Sequence, residues 1–232
     1  MNQADLLQGI MHAIIDGDET AARIRTEEAL AASLDPSLAL QKGVQSGLNR
    51  VGEMFETGEC YLPELIMAGD AAKAAIAVLM PHISAADQDA ARRGKVVIGS
   101  TAGDMHDIGK NIVSALLSAQ GFEVIDLGTD VPSKKFVDAA QKNGADIIAV
   151  STLLTTSLAY TRELIRLLND THLRERYFVI VGGGPVTPEW VKSIGADGYG
   201  RDANNAVTLC SQLLNGGQRP PLKEPLSIGA LR

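Results

Sequence analysis

The spacing of apolar residues changes once along the chain, near residue 90, and the two halves predict different architectures. From residue 4 to about 83 the apolar positions recur at intervals of three and four. In DLLQGIMHAIIDG, Leu6, Leu7, Ile10, Met11 and Ile14 share one helical face. DETAARIRTEEALAAS opens on an acidic first turn and is rich in Ala and Glu, which predicts a second helix. Asp35-Pro36 supplies an N-cap followed by proline in the first turn. Leu38, Leu40, Val44, Leu48, Val51 and Phe55 carry that third helix to Gly58. A fourth runs from about Leu62 to His82 through Leu65, Ile66, Ala72, Ile76, Leu79 and Met80. Four helices joined by short connections predict an N-terminal four-helix bundle over residues 1–83.

SAADQDAARRG, residues 84–94, has no buried face and reads as a linker. Beyond it come short runs dense in Val and Ile: KVVIGS, FEVIDL, DIIAVS and YFVIVGG. Helical patterns near 107–120, 133–143 and 156–169 separate them, and two more follow near 187–194 and 203–214. Strands alternating with helices predict a parallel sheet covered on both faces. The expected fold is therefore α + α/β, a helical bundle followed by a doubly wound, flavodoxin-like, five-stranded parallel sheet over residues 95–232. The final PPLKEPLSIGALR reads as an irregular tail. Ligands of such sheets bind beyond the carboxyl ends of the strands, at the switch point of the topology. That places GSTAGDMHDIG, VSTLLTTS and the glycines at 182–184 where chemistry is expected.

Composition excludes several classes. At 45% apolar and 21% charged, the chain has enough apolar residues for a real core. A net charge of −7 argues against nucleic acid as a partner. No apolar run approaches the roughly 20 residues that span a bilayer, so no membrane is expected. MNQADLLQGIMHAII has no basic n-region or small-residue cleavage site, and the expected location is cytoplasmic. Cys60 and Cys210 are too few for a disulfide framework or a Cys-based zinc site.

His106 is the residue with the most chemistry around it. Asp104, two residues earlier in a loop, can accept a hydrogen bond from one ring nitrogen, leaving the other free as a base or a metal ligand. Asp107 reads as a helix N-cap or first-turn acid. Ser151 and Ser157 are available as nucleophiles, but no Gly-x-Ser-x-Gly elbow occurs. No other histidine stands at HExxH spacing and no CxxC occurs. A single imidazole without a second protein ligand suits a metal that brings its own macrocycle. Gly182, Gly183 and Gly184 allow a bulky ligand to approach the backbone, although a tight turn would need them too.

Asp104-x-His106-x-x-Gly109, then 41 residues to Ser151-x-Leu153, then 28 residues to Gly182-Gly183, resembles the cobalamin-binding pattern. That pattern is shared by cobalamin-dependent methionine synthase, the corrinoid proteins of methyltransferase systems and base-off mutases. GLNRVGEMFETGECYLPELIMAGDAAKAAIAVLMP is similar to the helical cap of the first two, so the resemblance runs from about residue 5 to 214.

The resemblance implies cobalamin or a related corrinoid as cofactor, in its methylcobalamin form when loaded. It implies that the corrinoid's lower base leaves the cobalt and enters a slot between strands. His106 then takes the axial position on cobalt, in a relay with Asp104 and Ser157. By the same matching, Gly103, Met105, Asp107, Gly109, Ser151, Leu153, Thr155, Gly182, Gly183, Gly184 and Ala203 line the lower pocket. Phe55, Leu62 and Leu65 correspond to the residues that cover the upper face.

The implied activity is that of a methyl carrier with no complete active site of its own. A donor-specific methyltransferase, serving methylamine, betaine, methanol or a methoxylated aromatic, would load it. An acceptor methyltransferase working on tetrahydrofolate or coenzyme M would unload it, and a reductive-activation protein would rescue it. GGGPVTPEW followed by IGADGYG resembles methylamine and methanol carriers. A mutase subunit is the first alternative and lacks the FETGECYLPEL cap. A cobalamin-binding sensor or regulator would need a basic DNA-binding domain for which the chain has no spare length. A metal-free α/β binding protein is the plainest alternative.

Overall fold

The computed structural model describes residues 2–83 and 93–229, so all but the last two residues of the expected linker lie outside the described residues. By its contacts the chain forms two compact units, Met1–Arg93 with Ala115–Phe122 and Gly94–Ser114 with Glu123–Arg232.

In the first unit α1 (Gln3–Ile15) starts at a reciprocal cap, in which the Asn2 side chain accepts from the Asp5 amide and the Asp5 carboxylate accepts from the Asn2 amide. Helix α2 (Glu19–Ala31) is capped by Asp18. Asp35 accepts from the Leu38 amide at 2.7 Å and opens α3 (Pro36–Leu38). A π-helical turn at Ala39–Val44 then leads into α4 (Gln45–Thr57), which stops at Gly58 with φ of 76°. The periodicity pointed to this stretch as one regular helix, and the π turn left no trace in it. Helix α5 (Leu62–Leu79) starts with Pro63 in its first turn and ends in a 3₁₀ turn at Met80–His82. Its face of Ala68, Ala71, Ala72 and Ala75 is fully buried, as are Ala22 and Ala29 of α2. Ile10 and Ile14 of α1 pack beside Gly43 and Gly47, where an added Cβ would come within 3.0 Å of them.

The second unit is built on β1 (Lys95–Ser100), β2 (Glu123–Asp126), β3 (Ile147–Ser151), β4 (Phe178–Gly182), β5 (Gly198–Gly200) and β6 (Leu226–Ile228). All pairings are parallel, in the order β2-β1-β3-β4-β5-β6. Five strands come from the expected apolar runs and the glycine-rich GYG, and the sixth corrects the reading of the tail as irregular. Three residues between prolines and glycine carry no strand signature of their own; the pairing is imposed by Asp197. Its carbonyl accepts from the Leu226 amide at 2.9 Å and its carboxylate from the Leu222 amide at 2.7 Å.

Alternation along the strands sorts the two faces of the sheet. Val97, Ile148, Val150, Val179 and Val181 form the core with α7 (Ser133–Asn143), α8 (Leu158–Asp170) and α9 (Pro188–Ile194) through Phe136, Leu164, Leu168 and Val191. The opposite face carries Ile98, Ala149 and Ile180. It meets the start of α6 (Ile108–Ala119) and of α10 (Ala203–Asn215). Cys210 of α10 is fully buried, and burial pushes its thiol up to about 12, so it acts as an apolar core residue.

Asp197 is fully buried, as is its ion-pair partner Arg174 at 2.8 Å. The guanidinium also donates to the carbonyls of Tyr177 and Gly195, and the carboxylate accepts from the Val179 amide. Removing one partner strands the other charge out of water. Asp197→Ala is expected to cost about 3–5 kcal/mol of stability. Urea unfolding followed by the single tryptophan, Trp190, reads this directly, and a loss of well under 1 kcal/mol would contradict it.

Candidate functional site

The chain leaves β1 for β2 on one side and returns past β1 to β3, so the switch point lies between β1 and β3. The loops leaving these two strands meet there through one side chain. Asp104 is fully buried. Its Oδ1 accepts from the His106 amide at 3.0 Å and pairs with His106 Nδ1 at 2.7 Å. Its Oδ2 accepts from the Leu153 amide and, weakly at 3.4 Å, from the Ser157 hydroxyl. Burial pushes the Asp104 carboxyl up, but the amides of Leu153 and His106 and the His106 ring outweigh it and hold the group below the usual carboxylate value. An ionised carboxylate only accepts, so this pairing calls for a ring proton on Nδ1.

The rest of the histidine is free. Its side chain is 53% exposed, and among the described residues Nε2 makes no hydrogen bond. Ser100 Oγ donates to the His106 carbonyl at 2.5 Å and fixes the loop from below. Met105 and Ile108 beside His106 in sequence, and Leu153 and Leu154 on the loop after β3, are exposed apolar residues that give these loops an apolar rim. Asp107 immediately precedes α6, and its carbonyl accepts from the Asn111 amide at 2.7 Å.

Along the same face runs a slot of about 240 Å³. Its floor consists of Ile98, Ala149 and Ile180, with Ser151, Gly182 and Gly200 above them at the strand ends. Gly109, Ile112 and Val113 of α6 form one wall and Ala203 and Ala206 of α10 the other. Gly109, Ser151, Gly182, Gly183 and Ala203 are thus brought to one cavity from four separate stretches of sequence. Gly183 is required by the backbone, since with φ of 126° an added Cβ would lie 1.8 Å from the Thr152 carbonyl oxygen.

Other expected positions are placed differently. Gly184 is not in the slot wall but packs toward Leu153. Leu153 contributes its amide to Asp104 while its side chain is half exposed. Gly103 (φ of 74°) and Thr155 are exposed on the loops beside His106. Ser157 is buried and bonds chiefly to Thr152 Oγ1 and to the Leu154 carbonyl, at 2.9 Å, so its link to Asp104 is the weakest part of the relay. In the helical unit Phe55 and Leu62 are half-buried, whereas Leu65 is fully buried.

Three residues of the site were not anticipated. Thr152 is fully buried and positions Ser157. Asp130, in the loop after β2, accepts from the Gly103 amide at 2.8 Å, while its own amide donates to the Asp104 carbonyl at 3.0 Å. Lys110 is buried and bonds to Asp126 and Asn111, tying the first turn of α6 to the end of β2. The threonine was visible beside Ser151 and Leu153, and the lysine in GDMHDIGKN; the aspartate had no motif to mark it.

Comparison with known proteins agrees in both halves. A B12 binding domain model matches residues 94–208, and a second B12 binding domain model matches residues 6–80. A corrinoid protein of Desulfitobacterium hafniense is 42% identical over 210 residues, spanning 90% of this chain and 97% of that protein. The chain belongs to the corrinoid proteins. Dimethylamine corrinoid protein 1 of Methanosarcina acetivorans is also 42% identical, over 92% of this corrinoid protein and 100% of its relative. The methanol:cobalamin methyltransferase complex MtaBC from Methanosarcina barkeri superposes with a TM-score of 0.80 at 29% identity, covering 94% of this chain and 82% of that one. A cobalamin-binding protein from Desulfitobacterium hafniense gives 0.64 at 36% identity, covering 89% and 97%.

The site of this corrinoid protein fits its cofactor on its own geometry. A bare imidazole nitrogen, an apolar rim and a side-chain-poor slot are the features a macrocycle with a nucleotide tail requires. Gly183→Ala tests the slot wall. Strain and clash should cost at least about 1–3 kcal/mol of stability and weaken corrinoid binding, read by thermal unfolding and equilibrium dialysis. Unchanged values in both would contradict the close approach to Thr152.

Proposed function

We propose that this corrinoid protein is a methyl carrier. A methylamine- or methanol-specific methyltransferase loads it, and a second methyltransferase delivers the group to tetrahydrofolate or coenzyme M. The dimethylamine and trimethylamine corrinoid proteins among its relatives support the first donor, and the methanol:cobalamin methyltransferase complex supports the second. The observation that carries the reading is the His106 ring, pinned through Nδ1 by a buried carboxylate with Nε2 turned outward.

When bound, the corrinoid supplies a cobalt centre able to accept and release a methyl group. His106, through its unpaired Nε2, would be the residue that holds the cobalt. Asp104 holds the tautomer and the ring plane and makes the imidazole a stronger donor. The Leu153 amide holds Asp104 in turn, with a weaker bond from Ser157, which Thr152 positions. Ser151, Gly182, Gly183, Gly109 and Ala203, which line the slot, would hold the lower base and its tail, while Gly103, Met105 and Thr155 stand exposed on the loops after β1 and β3. The exposed half of the imidazole lies outside the core, so the ring could take up or leave a ligand without moving buried residues.

Reconstitution with cobalamin tests this. The visible spectrum of the bound corrinoid should change when His106→Ala removes the axial nitrogen. Asp104→Asn should weaken binding about 10–100-fold. Superimposable spectra for the wild-type and His106→Ala proteins would overturn the reading.

A further inference from the structure

The slot is polar only at its mouth. Strand register divides its floor into two rows: Ser151 and Gly182 at the strand ends, and Ile98, Ala149 and Ile180 two residues deeper. The walls follow the same gradient. Gly109 and Ala203 stand near the helix starts, with Ile112, Val113 and Ala206 further in. The polar lining residues do not serve the interior. Lys110 is committed to Asp126 and Asn111, and Arg201 and Asp202 follow the end of β5. Floor backbone groups are engaged in the parallel ladder. The side chains of the deep row offer no polar group.

We infer that the slot selects corrinoids by the polarity of their lower base, favouring benzimidazole-type bases over adenine. This rests on the proposal that the tail occupies the slot. Both bases are flat and two-ringed, so both suit its shape. Adenine brings an exocyclic amine and additional ring nitrogens that the deep row leaves without partners, whereas the carbocyclic edge of a benzimidazole asks for none. An unsatisfied buried donor is expected to cost roughly a factor of ten or more in affinity.

The test compares the full chain's affinity for cobalamin and for a corrinoid whose lower base is adenine, by equilibrium dialysis read from corrin absorbance. Free corrinoids differ in how readily the base leaves the metal, so the informative quantity is the change in affinity ratio between protein variants, in which that difference cancels. Ala149→Ser and Ile180→Thr place a hydroxyl in the deep row, and Ala206→Ser places one on a helical wall and serves if the strand variants do not fold. The ratio should move toward adenine by roughly fivefold in the folded variants. A ratio that stays unchanged, or moves toward the benzimidazole, in every folded variant overturns the inference. If the spectrum of bound cobalamin is unchanged by His106→Ala, it is the binding mode that fails.

Discussion

Asp104 carries a negative charge at a place that water does not reach, and the loops around it are arranged as that charge requires. Leaving a buried carboxylate unpaired is costly, so its position is stable only while donors converge on it. They come from the His106 amide and ring on its own loop, and from the Leu153 amide and Ser157 hydroxyl on the loop after β3. Asp130 adds the loop after β2 through the main chain of Asp104 and Gly103. One charge thereby fixes two loops at the switch point, and the main chain beside it holds the third. The histidine is held by the same bond that helps to satisfy the carboxylate, so ligand orientation and loop structure are a single problem with a single solution.

The slot arises from an unequal covering of the sheet. Three helices close one face over a core of Val, Ile, Leu and Phe. On the other, the starts of α6 and α10 stand apart over strand residues that lack bulk at their carboxyl ends. Glycine at 182 and 183 keeps the strand end low, and at 183 no other residue is compatible with the backbone and the neighbouring carbonyl. Volume that a large side chain would fill is left open at the strand ends.

Most of this was legible in the residues. The two periodicities separated helices from strands, the caps at Asp35-Pro36 and Gly58 marked helix ends, and Asp104, His106, Ser151 and the glycines marked the carboxyl edge. What escaped the sequence was of another kind. The Leu153 contact is made by a backbone amide, which every residue but proline possesses. Thr152 and Asp130 act through tertiary position and belong to no motif. The strand at Leu226–Ile228 is held by Asp197 from outside itself, and the π turn at Ala39–Val44 leaves no mark on hydrophobic spacing. Side-chain chemistry at fixed spacing is readable; main-chain donors and long-range pairing appear only once the chain is folded.

The central claim concerns one proton. If buried Asp104 fixes the ring, the neutral imidazole of His106 carries its hydrogen on Nδ1 and leaves Nε2 bare before any ligand arrives. Long-range ¹H–¹⁵N correlation of the histidine rings in the ligand-free protein, assigned with His106→Ala, reads this without the cofactor. The account predicts a single Nδ1–H tautomer for His106 that gives way to a mixture in Asp104→Asn. A ring protonated on Nε2, or a tautomer mixture identical in the two proteins, would contradict it.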